Sequence, residues 1–179
     1  MRFIVFILCG LEVVSCASVP AETPYSLGAA YFDEGHYSEA AAQWTKSAAR
    51  GNTEAMNNLG YLLYSGYGVD RDTHRAVDLW WVAADAGVSA AQLHLGRAYE
   101  TGIGVELSLS KAYAWYQRAI QTASSNSIAV GKDHDSEAAV VKAARKYLDK
   151  MKDRLSTSDL EMGRALAAEY IARYGKPSP

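Results

Sequence analysis

The sequence predicts an all-α chain built as an α-solenoid, in which helical hairpins stack one on the next and a C-terminal helical cap closes the stack. Three observations carry this. First, the stretch NNLGYLLYSGYGV recurs as LHLGRAYETGIGV at a constant offset of 36, with Leu59 on Leu95, Gly60 on Gly96, Gly66 on Gly102, Gly68 on Gly104, Val69 on Val105 and Ala76 on Ala112. A fixed period of this size marks a unit that cannot bury its apolar face alone and stacks on a neighbour instead. Second, the four prolines, Pro20, Pro24, Pro177 and Pro179, all lie near the ends, so no proline between Tyr25 and Lys176 forbids helix. Third, the apolar residues of the interior fall at spacings of three and four.

The first element, residues 1–15, has a basic start at Arg2 and an apolar run from Phe3 to Leu11. That run is too short to span a bilayer and reads as an export signal. Its ending, Val13-Val14-Ser15-Cys16, resembles the lipobox of bacterial lipoproteins, which implies cleavage before Cys16 and lipid attachment to that residue. Glu12 interrupts the apolar region and leaves an ordinary cleavable signal or a buried N-terminal strand as alternatives. The two cysteines are Cys9 and Cys16, so the processed chain has a single thiol and no disulfide framework. Residues 16–23 form a tether.

Residues 24–52 form a first hairpin, because Ala40, Trp44, Ala48 and Gly51 precede Ala76, Trp80, Ala84 and Gly87 by the same 36, although Leu27-Gly28 precede Leu59-Gly60 by only 32. Its internal loop is therefore four residues shorter. Residues 53–88 form the second hairpin: Thr53 N-caps a helix carrying Met56, Leu59, Leu62 and Leu63, Gly66 and Gly68 end it, and a second helix runs from Thr73 to Gly87. Residues 89–123 repeat the plan, with Ser89 and Gln92 as a capping box. The stretch SSNSIAVGKDHD, residues 124–135, loses periodicity and reads as an exposed loop. Residues 136–175 hold two capping helices, the second opened by a Ser158/Glu161 capping box.

Gly28, Gly60 and Gly96 sit in helix interiors, where glycine costs about 1 kcal/mol against alanine. Close approach of the paired helix is the compensation, with Ala40, Ala76 and Ala112 as small partners and Trp44, Trp80 and Tyr116 beyond them. Trp44, Trp80 and Trp115 read as core. Trp81 falls off that register, as a surface contact or against a neighbouring helix. His94 takes the slot of Asn58 and reads as a tolerant surface position.

Ala55, Leu59-Gly60, Leu62, Gly66-Tyr67-Gly68-Val69, Asp72, Ala76, Leu79-Trp80, Ala83-Ala84 and Gly87, and again Ala91 through Ala119, resemble the Sel-like repeat (SLR) group of the tetratricopeptide superfamily. The shorter first unit is more similar to a plain tetratricopeptide repeat. The resemblance implies a curved solenoid that acts as an adaptor, with first helices lining a groove. Carried over position by position, that groove holds Tyr25, Ala29 and Phe32, then Asn57, Tyr61 and Tyr64, then Leu93, Arg97 and Glu100. The implied partner is a protein or peptide of the bacterial cell envelope. With the lipobox, the chain is expected in the periplasm, anchored to the outer membrane through Cys16, or secreted if the signal is an ordinary one. Some exported relatives carry a disulfide in each repeat and bind penicillin; this chain has no cysteine in any repeat.

Formal charge is −2, without the basic field that nucleic-acid binding requires, so nucleic acid is not expected as a partner. Ser108-Leu109-Ser110-Lys111 has the S-x-x-K spacing of serine acyl-transfer enzymes, but neither S-D-N nor K-T-G accompanies it. Gly131-Lys132 lacks the remaining residues of a phosphate loop. The four histidines share no i, i+4 pairing and have no cysteine neighbour, and neither metal nor cofactor is expected. The sequence thus favours a non-enzymatic adaptor. A peptidoglycan- or penicillin-binding envelope protein with weak acyl-transfer activity, and a structural scaffold, are the alternatives; oligomeric state is left open.

Overall fold

The computed structural model describes residues 23–128 and 134–174. Cys16, the signal at 1–15 and the tether up to residue 22 lie outside the described residues. Among those described the regular structure is helical: α1 (Pro24–Asp33), α2 (Tyr37–Ala48), α3 (Thr53–Ser65), α4 (Thr73–Asp85), α5 (Ser89–Thr101), α6 (Leu109–Ile128), α7 (His134–Met151) and α8 (Thr157–Tyr174), with a 3-10 turn at Lys152–Arg154. Helices pair as α1/α2, α3/α4 and α5/α6, and the pairs stack through α2 on α3 and α4 on α5. Beyond α6 the pattern changes, because α6 packs at once against α5, α7 and α8. The fold is the expected all-α solenoid of stacked hairpins with a helical cap.

The recurring phrase is explained by an aromatic side chain seated on each interior glycine. A methyl group at Gly28 would meet the Trp44 indole at 2.5 Å, one at Gly60 the Trp80 indole at 2.6 Å, and one at Gly96 the Tyr116 ring at 2.5 Å. The missing side chain exposes backbone to the ring: Trp44 Nε1 donates to Tyr25 O (3.3 Å) and Trp80 Nε1 to Asn57 O (3.1 Å). Tyr116 has no indole N–H, and its hydroxyl reaches Glu100 Oε2 instead (2.7 Å). The aromatic ring is what each glycine admits most closely, and at Gly60 the carbonyl of the expected small partner Ala76 also approaches, to 3.2 Å. Leu59, Leu62, Ala83, Ala84, Leu95 and Trp115 complete a continuous buried core between the hairpins.

The glycine loop of each unit seats on the start of the preceding unit's second helix. Gly68 (φ +67°) lies against the backbone of Tyr37 and Ser38, and Gly104 (φ +80°) against Thr73 O. In both places any β-carbon would collide with backbone, and the positive φ already favours glycine. Gly163 of α8 lies likewise at the start of α6, where a β-carbon would stand 3.0 Å from Ser110 O and from Tyr113 Cδ1.

Several local expectations are corrected. Asn52, not Thr53, caps α3, its Oδ1 accepting from Ala55 N–H at 2.7 Å. The Ser89/Gln92 capping box does not form. Gln92 turns inward and donates to Ala84 O (3.0 Å), a carbonyl at the end of α4 that also accepts from Gly87 N–H (3.1 Å), while Ser89 donates to Glu137 of α7. The last capping box forms two residues earlier than expected, with Ser156 Oγ accepting from Asp159 N–H (3.0 Å) and Asp159 Oδ2 from Ser156 N–H (3.2 Å). The predicted loop at 124–135 is helical to Ile128. Ser124 and Ser127 hydroxyls donate back to the carbonyls of Ile120 (2.7 Å) and Ala123 (2.9 Å), and Ala123 is fully buried against Val140. Serines that read as loop are thus satisfied within the helix.

Candidate functional site

The first helices present a line of side chains that the stacking fixes in register. Ala29, Phe32 and Asp33 of α1, Asn57, Asn58 and Tyr61 of α3 and His94 of α5 surround a concavity of about 240 Å³ with Trp44 behind them. Phe32 leans on Trp44 (ring centroids 5.5 Å) and Tyr61 (6.3 Å), and Tyr61 in turn meets His94 (6.0 Å). His94 stacks on Trp80 at 4.7 Å and 19°. Burial, with the Arg97 charge alongside, holds its imidazole down to about 4, so it faces the concavity as a neutral ring at physiological pH.

Asn57 supplies the polar feature of the floor. Its Nδ2 donates to Asn58 Oδ1 (3.1 Å), whereas its Oδ1 is buried with no hydrogen-bond partner among the described residues. A buried acceptor left empty costs about 1–3 kcal/mol, and an incoming N–H would relieve that cost.

Of the residues expected in the groove, Ala29, Phe32, Asn57 and Tyr61 come together here. Tyr25, Tyr64, Leu93, Arg97 and Glu100 do not line this concavity. Tyr64 packs on Trp80 (5.2 Å) beneath Arg71, whose guanidinium lies 5.8 Å from its ring centroid. Leu93 packs against the core between α5 and the cap. Arg97 lies over Tyr147 of α7 (5.4 Å), and Glu100 accepts from both Tyr116 and Arg154 (2.8 Å). The end of the row expected to be charged is therefore engaged with the cap. Sequence reasoning missed His94, Asn58 and Asp33. The signal for His94 was its register with Asn58, which lies one turn before Tyr61 on the same helix; the tolerant-surface reading is corrected by its stack on Trp80.

Trp81, left between two readings, packs edge-on against Trp115 (4.9 Å). Ser108 and Lys111 do not form an acyl-transfer pair: Ser108 Oγ accepts from the Lys111 backbone N–H (3.3 Å), and Lys111 Nζ lies 5.3 Å from the centroid of the Tyr99 ring. The spacing is that of a helix start.

The Sel1 repeat family matches residues 53–88 and 89–121. The two matched stretches make up less than half of the chain. Gly60 with Trp80, Gly96 with Tyr116 and the loop glycines Gly68 and Gly104 fall within them, whereas Gly28 with Trp44 and Gly163 lie outside. The chain is similar to DAP3-binding cell death enhancer 1 of Rattus norvegicus, 38% identical over 73 residues that make up 41% of this chain and 14% of that protein. It is similar to the ERAD-associated E3 ubiquitin-protein ligase component HRD3B of Arabidopsis thaliana, 29% identical over 90 residues, 50% of this chain and 15% of that one. Among solved structures it is similar to c5321, a protective antigen present in uropathogenic Escherichia coli strains displaying an SLR fold, with a TM-score of 0.67, 31% identity, and coverage of 84% of this chain and 30% of that one. The chain thus spans a small part of each of these relatives. Sel1 repeat proteins are typically protein-interaction modules and bind protein partners in general.

Proposed function

We propose that this chain is a non-enzymatic adaptor of the bacterial cell envelope that docks a partner polypeptide on the face formed by α1, α3 and α5. The observation that carries this reading is the aromatic concavity floored by the unpaired Asn57 Oδ1. An extended partner backbone supplies the N–H that Asn57 lacks, while Phe32, Tyr61 and the neutral His94 ring give broad contact to an apolar side chain. The names of two relatives support it, one describing a protein that binds DAP3 and the other a component of a ligase assembly. The envelope location is supported by the Val13-Val14-Ser15-Cys16 ending, with Cys16 as lipid carrier and Ala17 in place of the aspartate associated with inner-membrane retention.

Photocrosslinking in cells tests the docking face. A photoreactive side chain at Asn58 should yield a partner adduct that one at exposed Asp78 of α4 does not, and Tyr61→Ala should remove the adduct. Equal adducts from both positions, or an Asn58 adduct indifferent to Tyr61→Ala, would move docking elsewhere. Cys16→Ser should release the chain from membranes; unchanged partitioning would remove the anchor from the reading.

A further inference from the structure

Between α6, α8 and the end of α7 the surface turns inward as two adjoining concavities. One of about 430 Å³ has apolar walls from Leu148, Leu155 and Leu160. The other, about 360 Å³, is walled by Ile120, Ala168 and Ile171. Tyr113, Gln117 and Arg164 line both, which places a polar patch where the two meet. Neither shares a residue with the α1–α3–α5 concavity.

The charge in this trough has one sign. Lys152 and Arg164 are the charged side chains of the two linings. The Lys152 ammonium is held by Asp149 at 2.7 Å. The Arg164 guanidinium has no hydrogen-bond or ion-pair partner among the described residues. Gln117 Nε2 donates to the Tyr113 hydroxyl (2.8 Å), so that hydroxyl's own proton is left to donate outward. Because Gly163 lets α8 settle onto α6 at Tyr113, the neighbouring Arg164 is set beside that phenol.

Along α8, Leu160, Arg164 and Ala168 are spaced at four-residue steps, about 6 Å each. An extended polypeptide returns a side chain to the same face about every 6.6 Å. We infer that the trough docks an extended segment of a partner polypeptide that presents an acidic side chain between two large apolar ones at alternate positions. The carboxylate pairs with Arg164 and the Tyr113 hydroxyl, and the apolar side chains enter the two concavities. Gln121, one turn beyond Gln117 on α6, lines the second concavity and offers an amide to the segment's backbone. An acyl chain carries its carboxylate at one end, whereas Arg164 stands between two apolar hollows; that placement favours the polypeptide.

The test is an NMR titration of the full chain, labelled with nitrogen-15, against the acetylated and amidated pentapeptide Leu-Ser-Glu-Ser-Leu and its glutamine and lysine counterparts. The glutamate peptide should give saturable shifts at Tyr113 and Arg164, and the glutamine peptide should bind about tenfold more weakly, as loss of a charge-assisted pair implies. Arg164→Glu, at an exposed and unpartnered position, should reverse the preference toward the lysine peptide, and Arg164→Gln should abolish it. Equal binding of the three peptides, or tighter binding by decanoate than by any of them, would overturn the inference. So would shifts confined to Asn57 and Tyr61, which would leave the adaptor reading of that face standing while removing this one.

Discussion

Replacing Gly60 with alanine isolates the contact on which the repeat is built. The added methyl group would stand 2.6 Å from Trp80 Nε1, 2.9 Å from its Cδ1 and 3.2 Å from Ala76 O, about 0.8 Å inside ordinary contact with the indole nitrogen. Trp80 is 1% exposed and wedged between Tyr64 and His94, so the ring has nowhere to retreat. Overpacking of this kind costs about 1–3 kcal/mol. Displacing the indole also stretches its bond to Asn57 O, worth about 1 kcal/mol. Against these stands a helix-propensity gain of about 1 kcal/mol. The net expectation is a loss of about 1–3 kcal/mol, read in urea unfolding as a lower midpoint at unchanged slope, or as a melting temperature lower by about 2–4 °C per kcal/mol. Adding Trp80→Leu should make the two changes strongly non-additive, because the smaller side chain frees the space. Gly60→Ala as stable as the parent, or more so, would refute the close-approach argument.

His94 titrates below its unfolded value, so the unfolded chain takes up this proton first and stability falls as pH drops from about 6.5 to about 4. His94→Asn, which installs the residue found in the Asn58 slot, should flatten that fall by up to about 1.4 kcal/mol per pH unit; identical pH slopes for the two chains would contradict the burial. Glu100→Ala removes both the acceptor of the Tyr116 hydroxyl and the partner of Arg154, and should cost about 1–3 kcal/mol. Amide exchange should show α7 protection falling first, and unaltered α7 protection would mean the cap is held elsewhere.

The repeat was legible because a constant offset aligns residues that share one environment, and Gly60, Trp80 and Gly68 each meet a physical demand that few other residues satisfy. Cap chemistry was less so. Ser-Thr-Ser-Asp-Leu-Glu at 156–161 contains two overlapping capping patterns, and the remainder of α8 is compatible with either start. The helix at 124–128 was hidden because serine side chains bonded to carbonyls four residues back look like loop in composition. The groove was half legible: first-helix register located Ala29, Phe32, Asn57 and Tyr61, but the fates of Arg97 and Glu100 depend on Tyr147 of α7 and Arg154 of the turn after it, which obey no repeat. His94 escaped because a histidine's meaning lies in the ring it stacks on, and Trp80 is 14 positions away in sequence.

Gly163 takes on α6 the seat that Gly68 takes on α2 and Gly104 on α4. The seat at which a further glycine loop would dock on α6 is therefore already filled by α8. A duplicated block of 36 codons inserted after Gly87 would find matching seats on both sides and lengthen the stack by one unit. The same block inserted after α6 would dock only if α8 were displaced. Duplication inside the array therefore meets seats that fit it, whereas duplication after α6 meets a seat that Gly163 already fills.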